Sequence, residues 1–310
     1  MVKSSDGSPR RRTKGMQQGM LFTEITGKSS YKSHVKKSSI FLGSSEEVLK
    51  SFPDKYFQTC ITSPPYWGLR DYGVSRQIGA ESTVQEYIRN LVIVFRQVKR
   101  TLKDDGTFWL NIGDAYTSGN RTWRAEDKKN PARAMTYRPP TPDGLKPKDL
   151  IGVPWRLAFA LQEDGWYLRS DIIWNKPNCQ PESVKDRPTR SHEYIFLLTK
   201  SEKYYYDNDA IKEEASNGSR KNKRTVWNIN TEAFPGAHFA TFPETLVLPC
   251  ILAGSREEDI VLDPFFGSGT VGYVAAKNSR QFVGIEINQE YVEIAKNRIG
   301  LNDSFVRKFA

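Results

Sequence analysis

The sequence predicts an α/β protein built on a doubly wound, mostly parallel sheet of seven strands. Short apolar runs typical of buried strands alternate along the chain with segments whose apolar residues recur at helical spacing. A strand at 56–62, a helix at 83–102 and a strand at 107–112 form a crossover unit, which makes the sheet parallel. Late in the chain, residues 259–270 join a strand to a helix through a glycine turn, a unit that such sheets use to bind ligands.

The predicted elements fill residues 39–300, which we expect to form a single domain. The helix at 83–102 is the clearest, because its apolar residues fall on one face and Gly106 follows its end. The predicted strands are 39–43, 56–62, 107–112, 166–174, 191–199, 260–263 and 281–287. The other predicted helices begin at Ser44 or Ser45 and end at Lys50, or span 154–163, 244–253, 270–278 and 289–299.

The remaining segments are polar and irregular. Residues 1–38 are rich in Ser, Lys, Arg and Gly, which predicts a solvated basic tail; a basic arm that touches phosphate is the alternative. Three stretches inside the domain, 115–149, 175–190 and 207–236, read as long basic loops inserted between regular elements. Residues 301–310 are predicted to be a C-terminal tail.

Composition limits the class of protein. The chain has 310 residues, 38% of them hydrophobic, which indicates a globular fold. No apolar run approaches the roughly 18 residues that span a membrane, and no apolar stretch follows the basic N-terminus as in a secretory signal. The three cysteines show no metal-binding spacing, so we expect no metal and a reducing, cytoplasmic setting. A net charge of +10 favours a polyanionic partner.

The glycine turn carries the signs of a cofactor site. An apolar strand ends at Asp263, and Gly267 and Gly269 follow in a Gly-Ser-Gly turn. Glu286 comes 17 residues after Gly269 at the end of the next strand, where an acid accepts hydrogen bonds from ribose hydroxyls. The turn is shorter than a dinucleotide fingerprint, so the pattern favours an adenosyl ligand without a pyrophosphate. An ordinary strand–turn–helix without a ligand is the alternative.

A second motif, Ser63-Pro64-Pro65-Tyr66, follows the strand at 56–62. Proline lacks an N–H and holds φ near −65°, so two prolines in a row fix the direction of their carbonyl groups. With the Ser63 hydroxyl and the flat ring of Tyr66, these acceptors suit a planar ring that bears an exocyclic NH₂ group. A rigid loop closed by an aromatic side chain is the alternative. The motif ends a strand at an edge of the same kind as the glycine turn, where ligands bind in such sheets.

Together, Ser63–Tyr66 and Asp263–Thr270 resemble the exocyclic-amine DNA methyltransferases that depend on S-adenosylmethionine. The order resembles the permuted beta group, in which the catalytic motif precedes the cofactor motif. The resemblance covers residues 40–299 and implies a Rossmann-like methyltransferase fold with inserted DNA-recognition loops. Two further stretches, Phe239–Glu244 and Phe282–Glu286, are also similar to the family.

The resemblance implies roles for individual residues. Serine at the first motif position usually accompanies N4-cytosine methylation and aspartate N6-adenine methylation, so Ser63 favours cytosine and leaves adenine as the alternative. The catalytic residues implied are Ser63, Pro64, Pro65 and Tyr66. The cofactor-binding residues implied are Asp263, Phe265, Gly267, Ser268, Gly269, Thr270, Glu286, Phe242 and Pro243.

The resemblance also implies double-stranded DNA as the partner, with a flipped-out base stacked on Tyr66 or, alternatively, on Trp67. A position in the core is the equal alternative for Trp67. A cognate restriction endonuclease and a homodimer are expectations that the sequence leaves open. The protein is expected in the cytoplasm, near the nucleoid, of a prokaryote or a phage-infected cell. The residues expected to contact DNA are Trp67, Arg70, Lys176, Lys185, Arg187, Arg190, Arg220, Lys221, Lys223 and Arg224.

Four other functions make different demands on the sequence. A C5-cytosine methyltransferase needs a cysteine nucleophile after proline in a catalytic loop, whereas Pro249-Cys250 lies in an apolar helical run. A nicotinamide oxidoreductase would need a pyrophosphate loop, which is missing. A non-catalytic DNA-binding module would not need both motifs. An RNA or protein amine methyltransferase stays open, because the same pocket chemistry suits other planar amines.

Overall fold

The computed structural model of the chain describes residues 38–69, 77–117, 139–232 and 242–309. The predicted N-terminal tail therefore lies outside the described residues except for Ser38, as do Arg70 and the larger part of the 115–149 insertion. The predicted insertion at 207–236 is described as far as residue 232.

Helices and strands alternate along the described chain, close to the predicted bounds. The strands are β1 (Ser39–Leu42), β2 (Phe57–Thr62), β3 (Leu102–Ile112), β4 (Tyr167–Asn175), β5 (His192–Thr199), β6 (Glu213–Glu214), β7 (Arg220–Lys221), β8 (Val226–Asn228), β9 (Ile260–Asp263), β10 (Gln281–Glu286) and β11 (Val306–Lys308). The α-helices are α1 (Ser45–Lys50), α2 (Val84–Thr101), α3 (Val153–Glu163), α4 (Glu244–Gly254), α5 (Thr270–Lys277) and α6 (Gln289–Ile299).

The sheet has the order β11-β1-β10-β9-β2-β3-β5-β4-β8 in the described part of the chain. The seven predicted strands form its body, and the three-residue strands β11 and β8 extend its two edges. All pairs are parallel except those that β5 makes with β3 and β4. The predicted mostly parallel α/β sheet is confirmed.

The antiparallel direction of β5 matters for the site. The last residue of β3, Ile112, faces Tyr194 near the beginning of β5. Because a parallel strand ends at the edge where an antiparallel neighbour begins, the first residues of β5 lie beside the carboxyl ends of β2 and β3. The start of β5 therefore belongs to the edge where ligands bind in such sheets.

Apolar cores lie on both faces of the sheet. Side chains of α1, α2 and α3, including Leu49, Phe95 and Leu157, pack in one cluster. Side chains of α4, α5 and α6, including Ile251 and Val292, pack in the other. Thr83 is the N-cap residue of α2. Its hydroxyl accepts a hydrogen bond from the Glu86 backbone N–H at 3.1 Å, which stabilises the first turn. This two-sided arrangement is the predicted doubly wound fold.

The end of the chain differs from the predicted tail over residues 301–310. After a single helical turn at Asp303–Phe305, β11 pairs with β1, and Ile40 faces Val306. Phe305 and Val306 pack against the apolar cluster of α4–α6. The edge of β1 offers unpaired backbone groups, and β11 satisfies them, which a polar tail would not do. No described helix is long and apolar enough to cross a membrane.

Candidate active site at the carboxyl edge of the sheet

The two motifs predicted from the sequence meet at one edge of the sheet. Strands β2 and β9 are neighbours, so the residues that end them lie side by side. The Thr62 hydroxyl donates a hydrogen bond to Asp263 Oδ1 at 2.5 Å, although the two residues are 201 positions apart. The catalytic motif begins at the next residue, Ser63. The glycine turn and the Ser63–Tyr66 loop therefore lie next to each other at this edge.

The glycine turn leaves space for a ligand. Gly267 has φ +50° and Gly269 has φ +78°, backbone conformations that favour glycine. A Cβ at Gly269 would lie 2.9 Å from Ala295 Cβ, so this glycine also allows α6 to pack closely. A Cβ at Gly267 would meet nothing within 4 Å. The open side of the turn is thus at Gly267, and its backbone N–H donates to Glu286 Oε2 at 2.8 Å.

Two buried carboxylates face this turn. Burial raises the pKa of Asp263 to about 7 and also raises the pKa of Glu286. Asp263 accepts from the Phe265 backbone N–H and Glu286 from that of Asn288. Neither carboxylate forms an ion pair with any described residue. Uncompensated carboxylates beside an open turn fit a ligand that brings a positive charge and hydroxyl groups.

The hydroxyls of the turn have a protein partner that the sequence did not indicate. Arg298, on α6, donates to Thr270 Oγ1 at 2.8 Å and to Ser268 Oγ at 3.3 Å. It also donates to Glu244 Oε1, at the start of α4, at 3.2 Å. The side chains of Ser268 and Thr270 are therefore used to fix the turn. In the sequence, a basic residue near the end of a helix is explained by its favourable interaction with the helix dipole, so nothing indicates that it also binds the turn.

The aromatic and proline residues of the predicted cofactor site differ in burial and in what they pack against. Phe265 is half-buried, and its ring meets Phe95 edge-on at 6.3 Å between centroids. Pro243 is buried and immediately precedes α4, and Phe242 packs against the cluster of α4–α6. The stretch Phe239–Glu244 starts outside the described residues, which resume at Phe242.

The two proline carbonyls of the catalytic motif differ. The Tyr87 hydroxyl, on α2, donates to the Pro65 carbonyl at 2.8 Å. No described group donates to the Pro64 carbonyl. The expectation that both carbonyls are open to a substrate is therefore wrong for Pro65, whose carbonyl holds the loop on α2. Pro64 keeps an open carbonyl next to the half-buried Ser63.

Tyr66 is tied to residues that no sequence motif indicated. Its hydroxyl donates to Glu193 Oε2 at 2.7 Å, and Ser63 Oγ lies 3.4 Å from the same hydroxyl. Asn111 Nδ2 donates to Glu193 Oε2 at 3.3 Å, and Lys176 Nζ pairs with Glu193 Oε1. Burial, with the negative charge of Glu193, raises the pKa of Tyr66 well above its usual value. A polar network therefore runs from Ser63 to Lys176.

Asn111 could have been found from one weak sequence signal, whereas the same signal is not sufficient for Glu193. Each is a polar residue in or beside an apolar strand, at the end that lies on the ligand edge. For β3 the predicted direction places Asn111 at that edge. For β5 the direction had to be known to be antiparallel, and a strand flanked by long loops does not reveal it.

Trp67 is not available for base stacking. Its side chain is 6% exposed and belongs to the core cluster on the α2 face. The indole N–H donates to the Glu81 carbonyl at 2.9 Å. The expectation that Trp67 contacts DNA is therefore wrong, because the large apolar ring is more stable in the core. Tyr66 is left as the stacking candidate of the motif.

Next to the catalytic loop, Asp114 and Arg190 face one another. The Asp114 carboxylate accepts from the backbone N–H groups of Gly152 and Val153 at 3.0 Å, which caps α3. Burial raises the pKa of Asp114, and the positive charge of Arg190 opposes that shift. Arg190 Nη1 is buried and has no hydrogen-bond partner among the described residues. The expected contact of Arg190 with DNA stays a prediction, since this unpartnered donor is buried.

The other basic residues expected to contact DNA divide into two groups. Lys176, Arg187 and Lys223 are ion-paired with Glu193, Glu182 and Glu213. Each also lies over an aromatic ring, and Lys176 and Lys223 are less than one-fifth exposed. The structure contradicts the expectation that Lys176 and Lys223 are free to contact phosphate, since their charges are already balanced inside the protein. The exposed or half-exposed group consists of Lys185, Arg220, Lys221 and Arg224.

The buried cysteines exclude one alternative chemistry. Cys250 is 2% exposed in α4, and burial raises the pKa of its thiol far above the usual value. Cys60 is buried in β2, and its thiol pKa is raised for the same reason. A thiolate nucleophile requires a lowered pKa and access to substrate. Neither cysteine fits the C5-cytosine mechanism.

Comparisons with known proteins show the family of the chain. The family model described as DNA methylase, of the N6/N4 methyltransferase type, matches residues 57–297. Type II methyltransferase M.Cfr9I of Citrobacter freundii is 63% identical over 88% of this chain and 91% of that protein. Type II methyltransferase M.SmaI of Serratia marcescens is 65% identical over 86% of this chain and 92% of that protein.

Solved structures share the fold. The PvuII DNA methyltransferase, described as cytosine-N4-specific, gives a TM-score of 0.65 at 23% identity over 85% of this chain and 86% of that chain. A putative DNA modification methylase of Thermus thermophilus, TTHA0409, complexed with S-adenosyl-L-methionine, gives 0.60 at 23% identity over 88% and 98% of the two chains. The family match spans both motifs and the strands that bring them together, so this chain belongs to the N6/N4 family of DNA methylases.

Proposed function

We propose that the protein is a type II DNA methyltransferase that transfers a methyl group from S-adenosylmethionine to the N4 amine of a cytosine in double-stranded DNA. The observation that carries the proposal is the contact between Thr62 and Asp263, which joins the catalytic loop to the cofactor turn. The names of the M.Cfr9I and M.SmaI methyltransferases support the type II assignment, and the complex of TTHA0409 supports the cofactor.

The cofactor fits the turn by charge and by space. The uncompensated carboxylates of Asp263 and Glu286 suit its ammonium group and its ribose hydroxyls, and the open side of Gly267 gives it room. When bound, S-adenosylmethionine supplies a methyl group that its sulfonium already activates. The chain's own task is therefore to hold the acceptor amine in line and to polarise it.

Ser63 and Pro64 perform that task. The exocyclic amine of cytosine has a lone pair delocalised into the ring. Hydrogen bonds from its two N–H groups to Ser63 Oγ and the Pro64 carbonyl favour a more tetrahedral and more nucleophilic nitrogen. A serine hydroxyl is too weak a base to deprotonate the amine beforehand, so the proton leaves after the methyl group has arrived.

The base reaches this edge by flipping out of the duplex. Extrusion costs a few kcal/mol, and stacking on the Tyr66 ring offsets part of that cost. The hydroxyl of Tyr66 is anchored on Glu193, which fixes the plane of the ring. Arg190, whose positive charge acts on Asp114, is proposed to contact DNA as the base enters.

Serine at position 63 favours cytosine over adenine, and the cytosine-N4 specificity named for the PvuII enzyme supports that choice. N6-adenine methylation by the same chemistry is the runner-up. A cognate restriction endonuclease in the same host belongs to the proposal, as expected for a type II enzyme, and so does a cytoplasmic location near the nucleoid. We expect a monomer or a homodimer to carry one such site per chain.

The experiment is expression in a host that lacks DNA methylation, followed by mass spectrometry of the digested DNA. N4-methylcytosine is the expected product, and N6-methyladenine would move the function to the runner-up. The absence of both would overturn DNA methylation as the function. The control is the Ser63→Ala, Tyr66→Ala double variant, which should leave the host DNA unmodified; full modification by that variant would overturn the roles of the catalytic motif.

A further inference from the structure

The polar network behind Tyr66 has the direction of a proton path. Ser63 Oγ donates towards the Tyr66 hydroxyl at 3.4 Å, and the Tyr66 hydroxyl donates to Glu193 Oε2 at 2.7 Å. Each hydroxyl therefore gives its proton to the next member, which leaves a lone pair of Ser63 Oγ free to face the substrate. The path ends on a carboxylate, the strongest base in the network.

The reaction leaves a proton that has to go somewhere. When the amine nitrogen has accepted the methyl group, it carries one proton too many and the base is positively charged. Such a protonated exocyclic amine is a far stronger acid than a carboxylic acid, so a carboxylate is a sufficient acceptor. Water has little access here, because the side chains of Glu193 and Lys176 are only 15% and 17% exposed.

We propose that Glu193 takes up, through Tyr66 and Ser63, the proton that the methylated amine loses. This inference rests on the proposed function and extends it. The N–H bond breaks and its electron pair stays on nitrogen, while the proton binds to Ser63 Oγ. Ser63 passes its own proton to the Tyr66 oxygen, and Tyr66 passes its own to Glu193 Oε2. The base ends neutral, both hydroxyls are restored, and Glu193 is protonated.

The surroundings of Glu193 suit this role. Lys176 reaches it from the end of β4, Asn111 from β3 and Tyr66 from the catalytic loop. Lys176 balances the carboxylate before the reaction and loses that balance when Glu193 is protonated, which favours release of the proton to solvent. The raised pKa of Tyr66 keeps its hydroxyl protonated and therefore able to donate.

Close packing keeps the path assembled. A Cβ at Gly113 would lie 2.7 Å from the Tyr66 ring and 3.3 Å from Glu193 Cδ. The glycine therefore lets the ring and the carboxylate approach each other at the end of β3. Glu193 acts through the two hydroxyls and is a positioning residue that also stores the proton.

The first test is the Glu193→Gln variant in single-turnover methylation, with enzyme and duplex premixed and S-adenosylmethionine added in excess. Glutamine keeps an oxygen that accepts from Tyr66 but cannot take up the proton. The path draws the amine proton towards Glu193 while the N–CH₃ bond forms, although the proton leaves fully only afterwards. Loss of this acceptor in the transition state should lower the rate roughly 100-fold relative to the wild type. Dissociation constants for cofactor and duplex should stay within about twofold of the wild type, since neither partner contacts Glu193. An unchanged rate would overturn the inference.

A second variant tests the order of the path. Tyr66→Phe keeps the ring for stacking and removes the hydroxyl link, so it should be about as slow as Glu193→Gln. The double variant should be no slower than either single variant, because members of one path fail together. Rates that multiply in the double variant would show independent roles and overturn the path.

Two controls separate the path from folding and from the proposed function. Glu193→Gln leaves Lys176 without its carboxylate, so Lys176→Met combined with Glu193→Gln restores charge balance and should be equally slow. Glu293→Gln alters a carboxylate paired with Lys296 on the surface of α6 and should keep the wild-type rate. If the wild type methylates no DNA, the proposed function fails and the inference falls with it. If the wild type methylates DNA and Glu193→Gln does so at the same rate, the inference alone fails.

Discussion

Asp263 and Glu193 are both carboxylates at the ligand edge of the sheet, and their surroundings give them different chemistry. Glu193 is paired with Lys176, so the fold itself supplies its cationic partner and holds it in place. Asp263 is 1% exposed and has no cationic partner among the described residues, and burial raises its pKa to about 7. In the proposed function, the cation that Asp263 lacks would come from the cofactor.

The pH dependence of cofactor binding follows from Asp263. Its pKa in the folded protein lies well above the usual value, so protonated Asp263 is favoured in the unliganded protein near and below pH 7. A cationic ligand binds the ionised form, so we expect its affinity to rise roughly tenfold per pH unit up to about pH 7 and then to level off. Titration calorimetry of S-adenosylmethionine binding across this range measures the slope.

The same shift predicts the stability of the unliganded protein. A raised folded-state pKa contributes stability below the unfolded pKa, and that stability is lost as the pH rises through about 7. Asp263→Asn removes the ionisation, so its free energy of unfolding should fall less between pH 5 and pH 8 than that of the wild type. Glu286, whose pKa is also raised, contributes the dependence that remains. A wild type and an Asn variant with parallel pH profiles would contradict this account of Asp263.

At the scale of elements, the glycine turn is held by a contact between three helices. Arg298 of α6 joins Thr270 at the start of α5 to Glu244 at the start of α4, and its side chain is 10% exposed. The turn on which the cofactor rests is thus positioned by helix ends and does not depend on its own backbone alone.

We expect Arg298→Met to destabilise the protein by about 2 kcal/mol, because the buried hydroxyls of Ser268 and Thr270 lose their donor and the partly exposed Glu244 carboxylate loses a partner. Cofactor affinity should fall more than duplex affinity, since the change lies under the turn. Chemical denaturation and calorimetry measure the two effects. Arg89→Met is the matched control on α2: its pair with Glu86 is 3.9 Å long and the arginine is 69% exposed, so its removal should cost less than about 1 kcal/mol. Equal losses in the two variants would contradict the role of Arg298.

The elements show what the sequence could and could not predict. Strand and helix bounds were predictable because apolar spacing and glycine turns are local signals. The same signals indicate the direction of the strands that end at Asp263 and Glu286 and of the strand that Ser63 follows. Glu193 was not predictable, because its position at the ligand edge depends on the antiparallel direction of β5, a non-local property. The prediction that Trp67 contacts DNA was wrong for a related reason, since only the packed structure shows that its ring lies in the core.

At the scale of the whole molecule, the cofactor motif comes late in the chain but lies in the interior of the sheet. Strand β9 lies near the middle of the sheet between β10 and β2, although it comes close to the end of the chain. Because β9 pairs with β2, the cofactor turn lies beside the catalytic loop despite the permuted order of the motifs. At the opposite edge of the sheet β8 pairs with β4, while β7 pairs with β6 in a separate two-stranded sheet.

The net charge of +10 predicts that DNA binding weakens with salt, and the structure indicates which charges contribute. Arg224 is exposed, whereas its neighbour Lys223 is ion-paired with Glu213 and 18% exposed. Arg224→Gln should therefore reduce the slope of log affinity against log salt concentration by about 1, the loss of one phosphate contact. Lys223→Gln, the matched control one residue away, should leave the slope unchanged because its charge is already balanced. Fluorescence anisotropy with a labelled duplex at several salt concentrations measures both slopes, and an equal reduction in the two variants would show that the ion pair opens when DNA binds.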